Sequence, residues 1–138
     1  MADEAPRILV VDDDPDFLET ARGVLEGAGY RVDCAASPQE AWASIGEHPP
    51  ALIILDLMLR AADTGFSLAR KLRADRRYAD VPLVLITAAS GRLREPTSRE
   101  LLEHLAAQRT DAFLEKPLVP EELVETVREL LARRPAGP

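Results

Sequence analysis

The sequence predicts an α/β fold, a five-stranded parallel sheet wound doubly with helices on both faces. Two observations predict it. Short β-branched or apolar runs alternate with segments whose apolar residues repeat at helical spacing. The third such run, "ALIILD" at 51–56, is apolar almost throughout, as a strand buried on both faces must be. Right-handed crossovers then favour an open sheet.

The elements follow in order. "RILVV" (7–11) is a buried strand. Phe17, Leu18, Ala21, Val24, Leu25 and Ala28 repeat at helical spacing, and Gly29 stops that helix. Asp14, followed by Pro15, is its N-cap. "YRVDCA" (30–35) is the second strand. Ser37-Pro38-Gln39-Glu40 is a capping box with proline at the first helical position. After the third strand comes a helix over roughly 65–74, then "PLVLIT" (82–87) as the fourth strand. Thr97 to Glu100 is a second capping box, opening a helix with Leu101, Leu102 and Leu105 inward. "DAFLEK" (111–116) is the fifth strand. The last helix starts at Pro120, with Leu123, Val124, Val127, Leu130 and Leu131 on one face.

The 138 residues suffice for one domain with a sizeable core, expected over 6–132. Residues 133–138, "RRPAGP", form a tail or the start of a linker. No apolar run approaches the ~20 residues of a membrane span, and the acidic N-terminus lacks a secretory pattern. One cysteine, Cys34, allows neither an internal disulfide nor a thiol-based zinc cluster. A cytoplasmic protein without a membrane role is expected. The formal charge of −7 argues against direct binding to nucleic acid, whose phosphates would be repelled. Trp42 is expected to pack on the second helix, Cys34 to be a small buried residue of its strand, and His48 and His104 to lie on helix surfaces.

The polar residues collect at one rim. Ligands of an open parallel sheet bind beyond the carboxyl ends of its strands. Strand one ends in Asp12-Asp13-Asp14, strand three in Asp56, strand four in Thr87 and strand five in Lys116-Pro117. Asp56 follows Ile53, Ile54 and Leu55, so its charge requires a partner at that rim. Alone, Asp12 and Asp13 suit a turn, Thr87 suits any strand and Lys116 any surface. Together they form a constellation.

This constellation resembles the receiver domain of two-component response regulators. The likeness spans about residues 6 to 132. It rests on the acidic pair after strand one, the Asp after strand three, Thr-Ala after strand four and Lys-Pro after strand five. The resemblance implies a flavodoxin-like sheet of order 2-1-3-4-5. It implies that Asp56 accepts a phosphoryl group from a histidine kinase or phosphotransfer protein. It implies a Mg²⁺ site of Asp12, Asp13, Asp56 and the Met58 backbone carbonyl, with Thr87 and Lys116 on the phosphoryl oxygens. Phe113 falls where the family carries an aromatic switch residue. Its movement would alter the surface of the fourth helix, fifth strand and fifth helix for an output partner. A phosphorylation-dependent dimer is compatible with this. A cis bond before Pro117 is also implied.

The chemistry suits these residue types. Three carboxylates within ~5 Å repel one another by roughly 3 kcal/mol per pair at an effective dielectric near 20. At least one raised pKa is therefore expected. Mg²⁺ is a hard ion that takes carboxylates, a carbonyl and waters. Met58 and Ala89 offer no side chain to orient water, so slow self-dephosphorylation is expected and no turnover as an enzyme.

Two rival functions stand beside this one. Asp12-x-Asp14 after a strand also resembles haloacid-dehalogenase-like phosphatases, which would leave Asp56 unused. A phosphorylation-independent binding module on a receiver scaffold is the other. The chain also departs from the family pattern. Arg60 stands where receivers usually carry proline, and the loop before the third helix is one residue longer. The stretch from Thr87 to Lys116 is several residues longer than usual, and "ASGRLREPTSRE" (89–100) contains the expected extra loop. Arg109-Thr110-Asp111 replaces the usual Gly-Ala-Asp. Arg92, Arg94 and Arg99 make the long stretch locally basic.

Overall fold

A computed structural model describes residues 5–56, 64–88 and 111–133. Five strands and four helices lie among them: β1 (Arg7–Val11), α1 (Pro15–Gly27), β2 (Arg31–Ala35), α2 (Pro38–Glu47), β3 (Leu52–Asp56), α3 (Thr64–Ala74), β4 (Leu83–Ala88), β5 (Ala112–Lys116) and α4 (Pro120–Arg133). The helix expected after Thr97, His104 within it, and the tail past Arg133 lie outside the described residues. All four strand pairs are parallel, in the order β2-β1-β3-β4-β5. The chain leaves β1 to one side for β2 and later returns to its other side for β3. That reversal opens a crevice beyond the carboxyl ends of β1 and β3.

Alternation along the strands separates two cores. Leu9, Val11, Ile53, Leu55, Leu83 and Leu85 face Ala41 and Ile45 of α2 and Leu68, Ala69 and Leu72 of α3. Ile8, Val10, Leu52, Ile54, Val84 and Ile86 face Phe17, Ala21 and Leu25 of α1 and Leu123, Val127 and Leu130 of α4. All five residues of β3 are buried, as its apolar run requires. Asp56 shares its parity with Leu52 and Ile54, and Lys116 shares its parity with Ala112 and Leu114. Both therefore stand on the α1–α4 side of the sheet.

Local chemistry sets the helix ends. The Asp14 carboxylate accepts from the Asp16 N–H at 3.0 Å and caps α1. At the other end, Gly29 adopts φ 99°, the left-handed conformation glycine tolerates best. Its N–H reaches the Glu26 carbonyl, and the Tyr30 N–H reaches the Leu25 carbonyl, closing a Schellman motif. Ala28, expected on the apolar stripe, is instead the exposed C-cap. The Ser37 hydroxyl accepts from the Glu40 N–H at 3.1 Å. The Glu40 carboxylate reaches back to the Ala36 N–H, one residue before the position a standard capping box would use.

Trp42 packs outward from α2 against the edge of Tyr78, 5.9 Å between ring centroids, with the Lys71 ammonium over its ring. Cys34 is half-buried rather than buried, because β2 is an edge strand. Its thiol faces the Leu18 carbonyl at 3.9 Å, and burial raises its pKa. His48 is exposed at the end of α2, as expected.

Candidate functional site

The sheet delivers four charged side chains to the crevice. The β1–β2 ladder continues one residue past β1, where the Asp12 N–H donates to the Ala35 carbonyl at 3.0 Å. This draws Asp12 into the interior, and the residue is 0% exposed. Asp56 closes β3 and is 4% exposed. Lys116 closes β5 and reaches back across the end of β4. Its Nζ lies 2.8 Å from Asp12 Oδ2 and 3.2 Å from Asp56 Oδ2. The partner that the buried Asp56 charge requires is therefore Lys116.

The two contacts differ in kind. Lys116 donates a hydrogen bond to Asp56 Oδ2. Asp12 Oδ2 meets the ammonium as an ion pair but is a buried oxygen without an aligned donor. Asp12 Oδ1 accepts from the Asp14 N–H at 2.9 Å. Asp13 is half-buried beside them. One carboxylate oxygen each from Asp12, Asp13 and Asp56 lies within 4.8 Å of the others. A buried oxygen lacking a directed donor, within a set of three carboxylates, fits a hard divalent cation.

Electrostatics record the crowding. Burial raises the Asp12 carboxyl to about 6. The Lys116 ammonium and the Asp14 N–H oppose that rise, and the Asp56 charge adds to it. For Lys116, burial favours the neutral amine, but the Asp12 and Asp56 carboxylates outweigh it and hold the pKa above that of an ordinary lysine. The expectation of a raised carboxyl is met at Asp12.

The remaining expected residues fall as follows. Thr87 lies in β4, in register with Glu115 of β5, one residue from the Ala88–Lys116 pair. Met58 and Ala89 lie outside the described residues, as do Arg60 and the basic 89–100 stretch. The Lys116–Pro117 bond is cis. Phe113 is half-buried against the α2–α3 core. The Asp14 carboxylate is exposed and caps α1, whereas Asp12 is buried beside Asp56 and Lys116. One neighbour was not anticipated. The Phe17 ring centroid lies 4.5 Å from Lys116 Nζ. In the sequence Phe17 is simply the first apolar residue of the α1 stripe, and nothing local links it to residue 116.

The model of the response regulator receiver domain matches residues 8–128. The chain belongs to the response regulator receiver family. This receiver is 40% identical over 131 residues to the response regulator Rre1 of Synechocystis, covering 94% of this chain and 53% of that protein. It is 36% identical over 130 residues to the phosphate regulon transcriptional regulatory protein PhoB of Pseudomonas aeruginosa, covering 94% and 53%. The receiver thus spans about half the length of these relatives. A putative response regulator from Chloroflexus aurantiacus superposes with a TM-score of 0.80 at 31% identity, covering 94% of this chain and 99% of that one. A CheY-like receiver domain protein from Methanospirillum hungatei superposes at 0.80 and 29%, covering 93% and 94%. Among the described residues, no helix is long and apolar enough to cross a membrane.

Proposed function

We propose that Asp56 is the phosphoacceptor of this receiver. The observation that carries the reading is the triangle of Asp12, Asp56 and Lys116, with Asp13 at its edge. A nucleophilic carboxylate, an acidic cation site and a fixed ammonium are what phosphoryl transfer needs, since positioning and charge stabilisation supply most of its catalysis. Asp12, Asp13, Asp56 and the Met58 carbonyl would hold Mg²⁺. Bound there, the ion supplies positive charge to the carboxylates and to the phosphoryl oxygens.

The chain's own residues do the rest. An Asp56 oxygen attacks phosphorus in line and forms an acyl phosphate. The bond from phosphorus to the donor breaks, and its electron pair leaves with the donor. For a phosphohistidine of a histidine kinase or phosphotransfer protein, that is a phosphorus–nitrogen bond, and the imidazole recovers a proton. Lys116 exchanges a carboxylate for a phosphoryl oxygen, and Thr87 donates a neutral hydrogen bond. The added charge shifts Phe113 and the surface around β5 and α4 toward the state a protein partner binds. This receiver acts through that partner in the cytoplasm, without touching nucleic acid itself.

Acetyl phosphate and magnesium chloride test the assignment. Intact mass should rise by one phosphoryl group, and Asp56→Asn should not label. Equal labelling of the Asn variant would overturn it. A binding module independent of phosphorylation would show neither labelling nor metal uptake.

A further inference from the structure

The Lys116 ammonium has a third partner besides its two carboxylates. The Phe17 ring stands 4.5 Å from Nζ, in the first turn of α1 directly after the acidic loop. The ring is 9% exposed and belongs to the α1–α4 core, so packing holds it in place. Asp12 and Asp56 hold the ammonium through their charge. A divalent cation drawn to the same oxygens takes up that charge and repels an ammonium. The ring face behaves differently. It is neutral, and its quadrupole attracts the cation whether or not the carboxylates are engaged. A leucine at this position would fill much of the same space without that attraction.

We propose that Phe17 is a positioning residue, whose ring face keeps the Lys116 ammonium at the rim while the carboxylates are otherwise engaged. The inference rests on the reading of Asp56 as phosphoacceptor. It predicts that Phe17 acts through Lys116, not through the packing of α1.

The test compares Phe17→Leu, Phe17→Tyr, Lys116→Ala and the Phe17→Leu/Lys116→Ala double variant, in the full chain. In metal-free protein, NMR should show the Lys116 ε-methylene protons shifted upfield by the ring in the wild type and the Tyr variant. In Phe17→Leu they should return to ordinary lysine values. Labelling by acetyl phosphate with Mg²⁺ should slow about threefold to tenfold in Phe17→Leu and recover in Phe17→Tyr. In the Lys116→Ala background, Phe17→Leu should cost nothing further. The same slowing in that background, or an unshifted ε-methylene in the wild type, overturns the proposal. Asp56→Asn is run alongside. If it labels like the wild type, the phosphoacceptor reading itself fails, an outcome distinct from an additive cycle.

Discussion

The Lys116 ammonium lies 2.8 Å from an Asp12 carboxylate that no solvent reaches. A charge buried so deeply is tolerated only with compensation. Lys116 supplies part of it, yet burial still lifts Asp12 to about 6. The folded protein therefore holds the Asp12 proton more tightly than the unfolded chain does. The contribution of this group to stability is full below the unfolded value near 4 and falls as pH rises through about 6. Asp12→Asn removes the liability. Without metal, the variant should be more stable than the wild type at pH 7.5, and the gain should vanish near pH 4. Urea unfolding at the two pH values measures this. An equal difference at both would contradict the linkage. Millimolar Mg²⁺ should raise the melting temperature of the wild type more at pH 7.5 than at pH 5, since protons and cation compete for the same oxygens.

Removal of the ammonium should have the opposite effect. Lys116→Ala leaves Asp12 and Asp56 facing each other with less opposing charge. Breaking a fully buried pair costs about 3–5 kcal/mol. The Lys116 side chain is 23% exposed, which lowers the expected loss at pH 7.5 to about 2 kcal/mol. Asp12→Asn in the Lys116→Ala background should restore most of that loss. A double variant no more stable than Lys116→Ala would show that packing of the lysine stem, not charge, sets the cost.

The opposite end of the sheet depends on another cation. Arg73 of α3 donates to the Ala79 and Val81 carbonyls at 3.0 and 2.8 Å and to Asp111 Oδ2 at 3.1 Å. The same Asp111 oxygen accepts from the Leu83 N–H at 2.8 Å. One guanidinium thus ties α3, the turn after it and the entry to β5. Its side chain is only 10% exposed. Arg73→Ala leaves these acceptors short of a donor and should cost about 2–3 kcal/mol in urea unfolding. Arg73→Lys should recover little, because an ammonium lacks the planar fork needed to reach all three acceptors. A fully stable Lys variant would contradict this account.

What the sequence revealed follows from the range of each interaction. β3 is legible because burial on both faces leaves a continuous apolar run. The caps at Asp14 and Ser37 are legible because capping chemistry spans three or four residues. The rim is legible because a parallel sheet sends the carboxyl ends of all its strands to one edge. The exact arm of Glu40 is not, since Ala36 and Ser37 offer it neighbouring N–H donors. Nor is the pairing of Phe17 with Lys116 or of Arg73 with Asp111, each joining residues far apart in the chain. Half-burial of Cys34 depends on β2 being an edge, which its own five residues do not encode.

With Asp56 as the proposed acceptor, the lifetime of its acyl phosphate depends on side chains able to hold water beside it. Hydrolysis of an acyl phosphate needs a water held in line with the breaking bond. A side chain that accepts or donates a hydrogen bond to that water speeds the step. Met58, two residues after Asp56, and Ala89, two after Thr87, carry no such group. A thioether is at most a weak acceptor, and a methyl group is none. The phosphorylated protein should therefore keep its label far beyond seconds after the donor is removed. Met58→Asn introduces an amide two residues after Asp56 in the sequence and should shorten the lifetime. Intact-mass decay curves of the two proteins decide the point: a wild-type half-life of seconds, or an Asn variant that decays more slowly, contradicts the reading.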